Sequence, residues 1–146
     1  MKLIGYKRIF AAASPCLLLC MKTFETRSYL MTVHDDLLIE FKIKKNVTLQ
    51  ETDVWTSRDQ SVDYIPGKKF LVLFEGEENA GISGDARRAG ASVEYSKHVA
   101  ALAMYSPRSY ERIMGSLFLK INKPIVPMRF FDDRDEAIAW LRKQVA

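Results

Sequence analysis

Between residues 26 and 44 the chain alternates. Tyr29, Met31 and Val33 fall on one side of the first run. In the second, Leu37, Ile39, Phe41 and Ile43 oppose Leu38, Glu40, Lys42 and Lys44. A repeat of two marks a strand with one buried face. His34-Asp35-Asp36 between the runs has turn chemistry, so the pair forms an antiparallel hairpin with one wet face. The pattern then changes. Phe70-Leu71-Val72-Leu73-Phe74 and residues 99–105 are continuous apolar runs, as expected of central strands covered on both faces. Further on, Tyr110, Ile113, Met114, Leu117, Phe118 and Ile121 recur at i, i+3, i+4, i+7, i+8 and i+11. That is the clearest helical stripe in the chain, and it predicts a helix over 106–122.

Punctuation fills in the rest. Thr48 and Glu51 fit a capping box opening a helix over 49–60, whose stripe (Leu49, Val54, Trp55) is thin. Ile65-Pro66-Gly67 is a turn, and residues 75–81 form a polar loop. Ser83 caps a helix running to about residue 97, with Asp85 in its first turn. Its small residues, Ala86, Ala89, Gly90 and Ala91, let it lie close to a sheet. Ser106-Pro107 opens the striped helix and Asn122-Lys123-Pro124 stops it. Residues 125–131 form a last strand, which Pro127 assigns to an edge. Asp132 caps a final helix that turns Ala137, Trp140 and Leu141 inward. The order ββαβαβαβα is that of an α/β fold, with a single mixed sheet of about five strands covered by about four helices.

Composition narrows the function. At 146 residues the chain has the length of one domain, and 48% hydrophobic against 27% charged residues is ordinary for a globular core. The net charge is +4, but Lys2, Lys7 and Arg8 stand in an acid-free stretch of the first 20 residues. Without them the chain carries 19 basic against 18 acidic residues, too even for a nucleic-acid face. Cys16 and Cys20 both lie in that stretch, so residues 21–146 hold neither a disulfide nor a thiolate metal site, and a reducing compartment suits them. His34 and His98 have no ligand partner at metal spacing. No cofactor is implied.

The first 20 residues have a basic start and a short apolar stretch broken by Pro15. Leu17-Leu18-Leu19-Cys20 is similar to a lipobox, but Leu19 is bulky where a small residue is required. The reading favoured is that translation begins at Met21 or Met31, residues 1–20 lie outside the fold, and 21–146 form one cytoplasmic domain. The alternative is an exported or lipid-anchored protein.

Two stretches carry a family resemblance. One is Ser83-Gly84-Asp85-Ala86-Arg87, opening the helix after the first buried strand. The other runs from Phe118 to Pro124 and on through Pro127, Phe130-Phe131 and Glu136-Ala137-Ile138-Ala139-Trp140-Leu141. With the element order, they make the chain similar to the STAS (SpoIIAA-like) family and to an uncharacterised bacterial STAS-related branch. The resemblance implies a non-catalytic regulatory or binding module that docks to a protein partner, or one that holds a small apolar ligand. In anti-sigma-factor antagonists of this family, a serine at the start of the helix after the central strand is phosphorylated, and Ser83 stands there. The family's aspartate before that serine is replaced by Gly81-Ile82.

The candidate sites follow. Ser83 is an ordinary N-cap or, on the functional reading, a phosphorylation site. Ser83, Gly84, Arg87, Ser106 and Arg108 gather at the rim where parallel strands hand over to helices, an anion- or ligand-binding place in open α/β sheets. The plain alternative is that the arginines are solvated or paired with Asp85 and Glu111. Tyr110, Met114 and Phe118 line an apolar cleft between the 106–122 helix and the sheet, or are simply core. His34 beside Asp35-Asp36 is a surface histidine. No nucleophile triad or Gly-rich phosphate loop is present, so the protein is expected not to be an enzyme. Contact with a membrane is peripheral at most, and the edge strand or the hairpin leaves room for a homodimer.

Overall fold

The computed structural model describes residues 7–9, 21–34, 37–106 and 125–145. Seven strands form one mixed sheet: β1 (Lys7–Ile9), β2 (Met21–Glu25), β3 (Tyr29–His34), β4 (Leu38–Ile43), β6 (Phe70–Gly76), β8 (Val99–Tyr105) and β9 (Met128–Phe131). Their spatial order follows the chain, β1-β2-β3-β4-β6-β8-β9. The first four run antiparallel, and β4, β6, β8 and β9 are parallel to one another. Two short strands, β5 (Thr48–Leu49) and β7 (Gly81–Ile82), pair separately. The described helices are α1 (Glu51–Tyr64), α2 (Gly84–Gly90), α3 (Val93–Ser96) and α4 (Arg134–Lys143).

The expected hairpin is β3–β4, paired from Tyr29 opposite Ile43 to Val33 opposite Ile39. Its alternation is the one read from the sequence: Tyr29, Met31 and Val33 are buried, as are Ile39, Phe41 and Ile43. Leu38 departs from the wet face expected for it, because it is fully buried with Leu71 and Leu73 under α4. The continuous runs are the central strands β6 and β8. In β6, Phe70 to Leu73 are all buried, alternately toward α1–α3 and toward α4.

Two cores result. One holds Phe24, Tyr29, Met31, Phe41, Phe70, Val72 and Leu102 against α1, α2 and α3. The other packs Leu38, Leu71, Leu73, Ala101, Ala103 and Phe131 against Ala137 and Leu141 of α4. Successive crossovers progressing in one direction across a parallel sheet share a face when each is right-handed, which is why α1 lies on the same side as α2 and α3.

Several local expectations are corrected. Strand β2 was not foreseen: between Lys22 and Glu25 the one buried apolar anchor is Phe24, too thin a pattern to read. Thr48 does not cap α1, because it is extended and paired with Gly81; Gln50 is the cap residue, and its backbone N–H donates to Asp53 Oδ2 at 2.9 Å. The helix expected from Ser83 to about 97 is two helices, since Ser92 caps a new one by accepting from Tyr95 N at 3.3 Å. Asp133 rather than Asp132 caps α4, accepting from Glu136 N at 2.9 Å. The strand expected over 125–131 is shorter, β9 beginning only after Pro127, and it stands at the end of the sheet as expected. The expected helix over 106–122 lies, from residue 107 onward and with Arg108, Tyr110, Met114 and Phe118, outside the described residues.

On the α4 side, an ionic cluster joins the hairpin to the helix. Glu40 Oε1 accepts from His34 Nε2 at 2.8 Å and from Arg134 Nη2 at 2.5 Å. Burial works to raise the Glu40 pKa, but the bonds and charges of His34 and Arg134 outweigh it and hold the carboxyl below the usual range. Glu40 therefore stays ionised in the folded chain to lower pH than in the unfolded one. Its contribution is full above the unfolded glutamate value of ~4.3 and is lost as pH falls through the lower folded value. Glu40→Gln is expected to cost about 1–2 kcal/mol at pH 7, moderated by the exposure of Arg134. In urea unfolding, the gap from the parent chain should narrow as the buffer is acidified below the unfolded glutamate value.

Candidate functional site: an apolar cavity over the parallel strands

The α1–α3 side of the sheet carries a cavity of about 300 Å³. Its floor comes from β6, β8 and β9. Phe74 of β6, Leu102 and Met104 of β8, and Met128 and Phe130 of β9 share one face by strand alternation and by register, since Met104 pairs with both Phe74 and Phe130. Its walls are Ala86 and Gly90 of α2 and Tyr95 of α3, with Leu49 and Ile82 from the β5–β7 pair.

The sequence explains why there is space. Ala86, Gly90 and Ala91 were expected to bring their helix close to the sheet. They line the cavity instead, and a Cβ built on Gly90 meets nothing within 4 Å among the described residues. Short side chains facing large ones leave volume unless the backbones close up. The segment leading into α2 is tied to the β5–β7 pair. Ser83 N donates to Leu49 O at 3.0 Å and Gly81 N to Val47 O at 2.9 Å, fixing the β5–β7 lip; Asn79 Nδ2 bonds Asn46 Oδ1 at 3.0 Å across its outer end.

Tyr95 is fully buried on the wall, and burial pushes its pKa up to about 12. The hydroxyl stands beside Ser57, but the Ser57 Oγ proton goes to Val54 O at 2.7 Å, and the tyrosine hydroxyl has no hydrogen-bond partner of good geometry. The neighbouring buried bond is Tyr29 OH to Gln60 Oε1 at 2.8 Å. An unpaired buried hydroxyl is a cost, so Tyr95→Phe is expected to leave stability unchanged or raise it by up to ~1 kcal/mol in thermal and urea unfolding.

The residues singled out from the sequence are distributed as follows. Ser83 caps α2, its Oγ accepting from Ala86 N at 3.1 Å, one residue beyond the lining residue Ile82. Gly84 is exposed beside it, and the Cβ of a substituted residue there would stand 3.6 Å from the Arg88 guanidinium. Arg87 and Ser106 both line the cavity, at the C-terminal ends of the parallel strands. His34 belongs to the ionic cluster on the opposite side. Sequence reading missed the floor residues Phe74, Leu102, Met104, Met128 and Phe130 as a group; the one signal was the run of small residues on the helix above them.

A family model described as "Domain of unknown function (DUF7793)" matches residues 31–145. The chain belongs to this family. The DUF7793 region opens within β3 and takes in every described residue that lines the cavity. Among solved structures, the chain is similar to an uncharacterized protein from the DUF3478 family with a SpoIIAA-like fold from Shewanella loihica PV-4. That match has 14% identity, covers 97% of each chain and has a TM-score of 0.52. It is a likeness of fold, and it bears out the α/β architecture read from the element order. Comparison with curated proteins finds no match. Among the described residues, no helix is long and apolar enough to cross a membrane.

Proposed function

We propose that this DUF7793 chain is a non-catalytic binding module that holds a small, largely apolar molecule in the cavity over β6, β8 and β9. The observation that carries this reading is the lining itself: Phe74, Leu102, Met104, Met128 and Phe130 below, and Ala86 and Gly90 above, bordering a partly open space of about 300 Å³. A space this large sits at the lower end of the range used for small-molecule ligands. At ~30 Å³ per water-sized group it takes roughly ten non-hydrogen atoms.

Chain length is the test. Straight-chain alcohols of six to fourteen carbons are titrated calorimetrically into the full chain below their aggregation limits. Each buried methylene contributes ~0.8 kcal/mol, so affinity should climb about fourfold per carbon and level off near a length of ~ten. Absence of saturable binding at every length, or a climb without a plateau, would overturn the reading.

Docking to a protein partner is the second reading, favoured by the position of Ser83. It stands at the start of α2, beside exposed Gly84 and Asp85, where a phosphate would alter the rim next to the cavity. On this reading Ser83→Asp changes which proteins co-purify with the chain; an unchanged profile counts against the switch.

A further inference from the structure

The floor of the cavity has a pattern of its own. Met104 on β8 is the register partner of Phe74 on β6 and of Phe130 on β9. Adjacent strands stand about 4.8 Å apart, and register partners on parallel strands share a face, so the three side chains form one row with a thioether between two rings. All three line the cavity. Phe74 is backed by Phe41, whose ring stacks on it at 5.2 Å between centroids. The helical wall is smooth: Ala86 and Gly90, one turn apart on α2, carry nothing beyond a Cβ. The charged groups at the border are occupied. Among the described lining residues these are Glu75, with Lys42 Nζ 3.7 Å from its Oε1, and Arg87, which has a partner within the chain. Neither is a free charge, so selection falls to shape and polarisability.

Resting on the reading that the cavity holds a small apolar molecule, we infer that its ligand is an uncharged, flat aromatic compound of about two fused rings, lying over the row Phe74, Met104 and Phe130. Aromatic rings attract another ring beyond the area they bury. A methionine sulfur adds a favourable contact at ring edges. A saturated skeleton gains only burial from the same floor. A flat molecule also suits a space between a sheet and a helix face without long side chains, where a puckered one of the same skeleton is thicker. About two fused rings match the roughly ten non-hydrogen atoms that the space takes.

The experiment compares 2-naphthol with decahydro-2-naphthol by calorimetry on the full chain near neutral pH. The two share a carbon skeleton and a hydroxyl, are both uncharged there, and differ in aromaticity and flatness. The parent chain is expected to bind 2-naphthol at least ~5-fold more tightly. Phe130→Leu, at a half-buried position on the last strand, should cut this preference to about twofold or less by weakening 2-naphthol. Met104→Leu conserves volume and should reduce the preference part of the way. Equal or tighter binding of the saturated compound to the parent chain, or an equal loss of both compounds in Phe130→Leu, would overturn the aromatic assignment while leaving the cavity reading intact. Binding of decanol with neither bicyclic compound bound would do the same. If decanol also fails to bind, the cavity reading is removed and the inference falls with it. Circular dichroism melts identify a folding defect in either variant, and the comparison on the parent chain needs no variant.

Discussion

Phe41→Ala is expected to lower the unfolding free energy by about 3–5 kcal/mol. Phe41 is 1% exposed and stands on β4, where the antiparallel hairpin meets the parallel half of the sheet. Its ring lies edge-on to Tyr29 at 5.5 Å between centroids and stacks on Phe74 at 5.2 Å. Truncation removes both aromatic contacts and leaves a void beneath α1, which strand neighbours paired on both sides cannot close. Urea denaturation of parent and variant measures the difference. A cost below ~1.5 kcal/mol would mean that the hairpin and the parallel strands do not share one tightly packed core. Phe74 also forms part of the cavity floor, so the same variant should disturb ligand binding.

Leu141→Ala should cost about 2–5 kcal/mol for a different reason. Leu141 and Ala137 are both fully buried and are the apolar anchors of α4 on Leu38, Leu71, Leu73 and Phe131. This second core is small, so one leucine is a large part of what docks the helix. The sheet lies between this core and the cavity. Binding of decanol, measured well below the melting midpoint, should therefore stay within about twofold of the parent, because among the described residues only Tyr105 both lines the cavity and packs against this core, and Leu141 itself does not line the cavity. Urea unfolding gives the stability and calorimetry the affinity. A loss of binding with the fold retained would show that the two faces are coupled through the strands.

How much of this was legible follows from what each segment buries. Strands β6 and β8 announced themselves because Phe70–Phe74 and Val99–Tyr105 are apolar at every position, and the β3–β4 hairpin because it alternates at every position but Leu38. Helix α1 was only faintly visible because its inward side is Val54, Ser57, Gln60 and Ser61. The two serines turn their hydroxyls back onto the helix, to Val54 O and Ser57 O at 2.7 Å each, and Gln60 accepts from Tyr29, so a polar stripe is buried with most of its bonds made. Thr48 misled because a capping-box spacing is also met by a residue tied into a strand pair. Ser92 was passed over because it lies inside a run of small residues, with nothing in its neighbourhood to distinguish a new cap from a helix interior.

The rim was legible in part. Arg87 and Ser106 were chosen from topology alone, since parallel strands deliver the starts of their following segments to one end of the sheet. The structure brings both to the same cavity. The cavity could not be read, because an apolar residue that fills space and one that borders it look alike in sequence. Ala86, Gly90 and Ala91 indicate small volume without indicating whether the backbone closes over it. That depends on the β5–β7 lip, formed by two pairs of residues more than 30 positions apart.

The most direct measurement is a decanol titration of Gly90→Leu beside the parent chain. Gly90 lines the cavity, a Cβ there meets nothing within 4 Å among the described residues, and leucine is a better helix former than glycine, so the variant should fold at least as stably. Occupation of the space by four carbon atoms is predicted to weaken decanol by at least ~10-fold with an unchanged or raised melting midpoint. Undiminished affinity in the folded variant would place the bound molecule elsewhere and contradict the account.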